Sequence, residues 1–497
     1  MKVKYIIIML LIACQAWAVA PRPGVDFGGR VMPHFAWDDA PQRVAARQMP
    51  QQVIAREGPA APRGPVILVS FKDTLFRTPA AEIDSMFNGY NYTRNYTIIY
   101  AGGTKQVIKS SGSVRQYFYD QSRGQYNPQF DIIGPVTVSR ECAYYGKNNW
   151  RDNDKNVQDL IKEACQAADK QVDFTQYDSD NDGQVDFVYI LFAGFAESDG
   201  AGSDLIWPHS SDLSYMVSLQ LDGKLIASYG CSNERSYATK LHEGIGTVVH
   251  EFGHVLGLPD LYNTESDDNN QFKTLGTWDV MDGGNYLNDG NTPPNYSAYE
   301  RFYLGWQTPR LLNDTADITL EPLHKGGETL MVTETGQHNN NGVEPSPSTF
   351  YLLENRQRSG WDKFLPGHGL LITKVQYNAH AWLFSAVNAD STKMGVDIIE
   401  ADGEAPANSY GKLTDAFPAG ATHYNTEPPF DRYTITDITE NTFWGTISFK
   451  FMGGMSGTGL TPVHPSAEGI RKELRRGRLV IYHNGRAYTV SGQAINE

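Results

Sequence analysis

The chain has 497 residues, 40% hydrophobic, 20% charged and 12% aromatic, the balance of a soluble globular protein with room for two or three domains. Acidic side chains outnumber basic ones and the net charge is -15, so no basic face is available to neutralise phosphates and nucleic acid is excluded as a partner. Of the four cysteines, only Cys142, Cys165 and Cys231 lie beyond the N-terminal segment, and three cannot all pair, so no disulfide scaffold is expected.

The N-terminal M-K-V-K-Y-I-I-I-M-L-L-I-A-C-Q-A-W-A reads as a signal peptide over residues 1–18. Lys2 and Lys4 precede a short apolar run, and Ala16-Trp17-Ala18 offers a small-x-small cleavage site. That run is too short to span a bilayer permanently, and no later stretch approaches ~20 uninterrupted apolar residues, so no transmembrane helix is expected. Leu11-Ile12-Ala13-Cys14 leaves a second option open, lipid attachment at Cys14. Either route exports the protein, to the extracellular space or the cell surface. Of the remaining cysteines, Cys165 lies on the helical stripe Val157, Leu160, Ile161, Ala164, Cys165, Ala168 and reads as a core thiol. A Cys142–Cys231 bridge stays open.

Residues 19–64 are rich in proline, arginine, alanine and glycine and read as a propeptide or N-terminal arm, removed near Arg56 or Arg63. The first strong strand follows, P-V-I-L-V-S-F at 65–71. Thr78-Pro79 predicts an N-cap and a first-turn proline, Ser113 starts another helix, and a longer helix covers about 154–170. A second core strand spans Val185 to Ala193, apolar at nearly every position, as a strand covered on both faces would be. This order predicts an α/β or α+β catalytic domain at 65–310, with a twisted sheet and an active-site helix. Beyond Pro309, short β-rich runs between turn-rich loops predict a mainly β domain at 311–452. A glycine-rich linker (453–468) and a tail (469–497) follow, the tail carrying an Asn484-Gly485 hairpin signal.

The most informative stretch is T-V-V-H-E-F-G-H-V-L-G-L-P-D-L-Y at 247–262. A helix places His250 and His254 one turn apart on one face. Glu251 sits beside that face, within reach of a metal-bound water but poorly placed to be a ligand. Val248, Val249, Phe252, Val255 and Leu256 supply the surface that buries the helix. Gly257 reads as a helix terminator with positive φ, which lets the chain turn and return Asp260 towards a metal. Two imidazoles and a carboxylate leave one position for water on a zinc ion. Zinc lowers the pKa of that water, and Glu251 can take its proton. Against this stands an amphipathic helix with two ordinary core histidines. By composition alone the H-E-x-x-H-x-x-G-x-x-D pattern arises on the order of once in ten thousand such chains. The pattern therefore predicts zinc.

G-T-W-D-V-M-D-G-G at 276–284 is a tight-turn segment whose Met281 would form an apolar floor under such a metal. Tyr286 is a candidate for oxyanion stabilisation. Earlier in the chain, D-S-D-N-D-G-Q-V-D at 178–186 clusters four aspartates around Gly183. Asp178, Asp180, Asp182, Gln184 and Asp186 form a candidate calcium loop, although Tyr189 stands where a full EF-hand loop would carry glutamate. His209 and His242 read as ordinary polar residues rather than cleft groups. A distant third ligand such as Glu300, in place of Asp260, is the competing arrangement. A calcium-dependent binding protein without catalysis is the competing function.

Taken with P-V-I-L-V-S-F (65–71), S-V-R-Q-Y-F (113–118), I-W-P-H (206–209), W-D-V-M (278–281), F-Y-L-L-E-N-R-Q (350–357), P-G-H-G-L-L-I (366–372) and D-I-I-E-A-D (397–402), these motifs resemble the immune inhibitor A-type secreted metallopeptidases. The resemblance runs from about 65 to 452. It implies a metzincin-like fold, zinc, calcium, activation from a precursor, and endopeptidase action on protein or peptide substrates. Two departures stand out. Leu261 follows Asp260 where many relatives have a second acid, and Thr373-Lys374 replaces a common tryptophan-histidine pair. Oligomeric state is not legible.

Overall fold

The computed structural model describes residues 16–22, 62–99, 103, 105–148, 154–213, 217–264, 274–390, 392–404, 411–419 and 433–454. In the tail it describes 471–475, 478–483, 486–488 and 494–495. Most of the signal segment with Cys14, most of the 19–64 arm with Arg56, and Asn484-Gly485 lie outside these residues. The structure is mixed α/β with several sheets and few helices.

In chain order the first half contains β1 (Ala16–Ala18), β2 (Arg63–Ser70), α1 (Ala80–Asn88), β3 (Asn95–Ile99), β4 (Lys105–Lys109), α2 (Val114–Gln121), β5 (Gln129–Thr137), α3 (Cys142–Gly146) and α4 (Val157–Ala168). Then come β6 (Val188–Phe192), β7 (His209–Asp212), β8 (Gln220–Leu221), β9 (Lys224–Leu225), β10 (Ser228–Asn233), α5 (Gly246–Val255) and α6 (Ala298–Tyr303). The main sheet has the order β1-β7-β10-β6-β2-β5. Strands β10, β6, β2 and β5 run parallel, β7 is antiparallel to β10, and β1 lies antiparallel along β7. Parallel strands need cover on both faces. Accordingly β6 and the run Val66–Val69 are buried throughout, with one apolar cluster around α5 and another around α4.

The expected stripe on α4 is buried at every position, and Ser113 caps α2 by accepting from the Gln116 amide at 3.1 Å. The cap expected at Thr78 is different. The amides of Arg77 and Thr78 and the Thr78 hydroxyl all donate to Glu234 Oε1, so the threonine ties α1 to the end of β10 and caps nothing. Cys142, Cys165 and Cys231 are buried free thiols, so the Cys142–Cys231 bridge does not form.

The second half holds β11 (Arg310–Leu311), β12 (Ala316–Leu320), β13 (Leu330–Val332), β14 (Thr349–Arg356), β15 (Gly369–Gln376), α7 (Ala379–Leu383), β16 (Val396–Ile398), β17 (Ile435–Asn441) and β18 (Thr446–Phe451). They form a five-stranded sheet, β11-β13-β14-β15-β16, and a three-stranded one, β12-β18-β17. This half is not packed apart from the first. One apolar cluster runs from Val248, Val249 and Phe252 on α5 through Tyr299 and Phe302 on α6 to Phe350, Leu352 and Leu371. A separate unit begins at Met455. It is an antiparallel meander of β19 (Arg471–Arg475), β20 (Arg478–His483), β21 (Arg486–Tyr488) and β22 (Ala494–Ile495), and β20 and β21 flank the predicted hairpin turn.

Candidate metal centre and cleft

Helix α5 buries Phe252 among the rings of Phe118, Phe130 and Phe187, which fixes its rotation and turns His250 and His254 to the other side. Gly257 ends it with φ +97°, and its amide donates to the His254 carbonyl at 2.9 Å. The chain then reverses and carries Asp260 back. Asp260 Oδ1 lies 3.3 Å from His250 Nε2 and 3.1 Å from His254 Nε2, and the two Nε2 atoms are 3.2 Å apart.

The far ring nitrogens assign the protons. His250 Nδ1 is 2.8 Å from the Val280 carbonyl and His254 Nδ1 is 2.8 Å from the Leu258 carbonyl. A carbonyl accepts and cannot donate, so each Nδ1 carries the hydrogen and each Nε2 presents a lone pair. Asp260 Oδ1 is buried without a hydrogen-bond donor. Three buried acceptors therefore face one another, and a cation is the group that relieves them. Two imidazoles and a carboxylate, each anchored from behind, suit zinc. Burial opposes the charged form of Asp260, but the adjacent imidazoles hold its carboxyl below the ordinary value. Burial also lowers His254.

Met281 is fully buried against α5. A Cβ at Gly253 would lie 2.8 Å from the Met281 sulfur, so the glycine between the histidines lets the methionine approach this closely. The Met281 carbonyl accepts from the Leu261 amide at 2.9 Å, so one loop braces both His250 and the segment after Asp260. Glu251 is buried, and Oε2 has no hydrogen-bond partner. Burial first, and then the Asp260 charge, push its carboxyl well above the ordinary range. Glu300 is elsewhere. It closes a capping box with Ser297 at the head of α6 and lies beside Asp279, and among the described residues Asp260 is the carboxylate grouped with both histidines.

The cleft beside α5 contains the chain's own residues 16–22. Ala16, Trp17 and Ala18 pair with Ser211, Ser210 and His209 along the edge of β7. The Val19 amide is shared between Glu251 Oε1 at 3.0 Å and the Pro208 carbonyl at 3.2 Å, and the Tyr262 hydroxyl donates to the Ala18 carbonyl. Trp207 Nε1 donates to the Val19 carbonyl at 2.8 Å, and Tyr286 donates to the Ala20 carbonyl at 2.6 Å. Tyr262, not Tyr286, thus meets the carbonyl of the peptide bond that faces Glu251. His209 lines the strand from below, bonded to the Trp207 carbonyl and the Tyr229 hydroxyl, and burial lowers its pKa to about 4. His242 lies against Arg94 and Glu82.

At 178–186 the structure brings together Asp178, Asp180 and Asp186, with left-handed Asn181 and Gly183 turning the loop. Asp182 does not join that group. Asp182 accepts from the Gln184 amide at 2.8 Å. Lys224 reaches Asp178 at 2.5 Å and already offsets part of the charge.

Residues 64–309 match the model of the immune inhibitor A peptidase M6 family, catalytic domain. Over that span the chain is similar to this family. The chain is 25% identical over 291 residues to an immune inhibitor A of Bacillus thuringiensis subsp. alesti, an alignment covering 52% of this chain and 42% of that protein. It is 28% identical over 219 residues to the pre-pro-metalloprotease PrtV of Vibrio cholerae serotype O1, covering 39% and 23%. The chain thus spans less than half the length of either relative. A metalloprotease family implies a metal, and the three converging side chains could hold one. Among the described residues no helix is long and apolar enough to cross a membrane.

Sequence reasoning missed Tyr262 and Ser385. Tyr262 closes the same quoted motif, two residues after Asp260, where a chain emerging from the Gly257 turn must still pass the cleft. Ser385 comes from the second half. Its hydroxyl accepts from the Asp260 amide at 2.9 Å and donates to Asp260 Oδ2 at 3.1 Å. Supports of this kind typically contribute about 10–100-fold in metal affinity. Ser385→Ala should therefore weaken metal retention by roughly tenfold or more while the protein still melts cooperatively. Competition with a zinc chelator reads this out, and wild-type retention would show that Asp260 needs no such brace.

Proposed function

We propose that this protein is an exported zinc endopeptidase with a metzincin-like catalytic site built from His250, His254, Asp260 and Glu251 over Met281. The observation that carries it is the convergence of two imidazole lone pairs and a carboxylate beside a buried glutamate, with the Val19 backbone nitrogen of an extended segment 3.0 Å from that glutamate. Zinc, when bound, polarises the scissile carbonyl and acidifies water. Glu251 takes a proton from the attacking water as the new C–O bond forms. It then delivers that proton to the leaving nitrogen as the C–N bond breaks. The 3.0 Å approach of Oε1 to the Val19 amide supports this second reach. Tyr262 donates to the carbonyl oxygen as charge develops on it, and Tyr286 holds the chain further along the cleft. In one casein-hydrolysis assay, Glu251→Ala should lose on the order of 10²–10⁴-fold in rate with zinc retained. Tyr262→Phe should lose about 10²-fold or more. Undiminished hydrolysis by purified Glu251→Ala would end the proposal.

Residues 19–64 are, in this reading, an occluding arm, since residues 19–22 lie in the cleft that a substrate needs. The casein-cleaving form should therefore begin beyond Arg22, which N-terminal sequencing reads directly. An active form starting at Val19 would contradict it.

Calcium is the ion proposed for Asp178, Asp180 and Asp186, where it would pin the loop ahead of β6. Selective calcium removal with zinc retained should lower the melting temperature and hasten self-digestion. An unchanged melting curve, from protein that contained no calcium, would leave Lys224 as the loop's sole cation.

A further inference from the structure

The cleft segment ends in a side chain that is enclosed more completely than an arm alone requires. Arg22 lies at the end of a stretch anchored through the backbone of Val19 and Ala20, its own amide donating to the Ser198 carbonyl at 3.0 Å. Its guanidinium forks to three carboxylates from three separate loops: Nε to Asp199 at 2.7 Å, Nη1 to Asp289 at 2.7 Å and Nη2 to Glu243 at 3.1 Å. The Tyr286 ring forms one wall, 4.9 Å from the guanidinium carbon. The arginine side chain is 12% exposed, and the carboxylates 2%, 6% and 10%.

Three carboxylates enclosed together repel one another and lose hydration, an arrangement that costs stability unless a cation joins them. Burial pushes Glu243 up to about 8 even though Arg22 counters it. Burial equally opposes the Arg22 charge, yet the three acids hold the guanidinium above its ordinary value. Each acid is also oriented by a donor of its own: Asp199 by the Tyr237 amide, Glu243 by the Gly244 amide and Asp289 by the Tyr96 hydroxyl. The pocket is therefore built in advance for a planar cation with several donors, which favours arginine over lysine.

The position of the pocket along the cleft can be counted. The Val19 backbone nitrogen stands at Glu251, where a leaving nitrogen would lie, and Arg22 is the fourth residue when Val19 is counted as the first. We infer that Asp199, Glu243 and Asp289, walled by Tyr286, form a substrate subsite that selects a basic side chain, arginine before lysine, four residues after the cleaved bond. This rests on the peptidase reading above, and the pocket would then be vacated when the arm leaves.

Four quenched-fluorescence peptides of sequence Ala-Val-Ala-Pro-Xaa, with Xaa arginine, lysine, alanine or glutamate and common flanks, test it on the casein-hydrolysing enzyme. Arginine should exceed alanine in kcat/KM by roughly ten- to hundredfold, mostly through KM, with lysine between them and glutamate lowest. Asp289→Asn and Glu243→Gln should pull the arginine-to-alanine ratio towards one. A merely structural role would lower both peptides together and leave the ratio unchanged, which would overturn the assignment of those residues. Equal cleavage of all four by an enzyme that digests casein would overturn the subsite and leave the pocket as an anchor for the arm. Failure to cleave either casein or peptides would overturn the peptidase reading, and the subsite with it.

Discussion

The centre is governed by one electrostatic constraint. His250 Nε2, His254 Nε2 and Asp260 Oδ1 are brought within 4.8 Å of one another in the protein interior, and none has a proton to share. Such a meeting is unfavourable unless a cation occupies it, so the surrounding structure must hold the three atoms in place by other means. Aromatic packing around Phe252 sets the rotation of α5, and two backbone carbonyls fix the imidazole tautomers. The Gly257 turn and Ser385 aim Asp260. Met281 fills the space that Gly253 leaves beneath the helix. Most of these supports lie close to α5 in the chain, and Ser385 is contributed by the second half.

The helix and the convergence of His250, His254 and Asp260 were legible in the sequence because that geometry is local. Four-residue spacing, a glycine terminator and a carboxylate three positions later need no tertiary information. The same holds for the α4 stripe, for the buried run in β6 and for the acidic turn at 178–186. What was not legible depends on closure between distant segments. Ser385 reaches Asp260 across a sequence separation of 125 residues, and no periodicity signals such a contact. Thr78 looked like a cap because threonine before proline usually is one. Here its hydroxyl is claimed by Glu234 from another loop. Tyr286 was a reasonable candidate from its place after Met281, but the loop carries its hydroxyl to the Ala20 carbonyl, and Tyr262 reaches the carbonyl beside Glu251.

The cleft segment adds information that the metal cluster alone cannot provide. Its antiparallel pairing on β7 gives a direction to an extended chain, and its contacts with Glu251 and Tyr262 give a register. Backbone pairing is indifferent to sequence, so discrimination between substrates falls to side-chain pockets. Among the described residues along this segment, the three-acid pocket carries the greatest charge.

The central claim is that two imidazoles and one carboxylate hold the catalytic metal. X-ray absorption at the zinc edge, on metal-stripped protein reloaded with one equivalent of zinc, tests it most directly. The account predicts a first shell of nitrogen and oxygen only, with scattering from two imidazole rings, and loss of tight binding in Asp260→Ala. A sulfur contribution, three imidazole rings, or unchanged affinity in Asp260→Ala would contradict it.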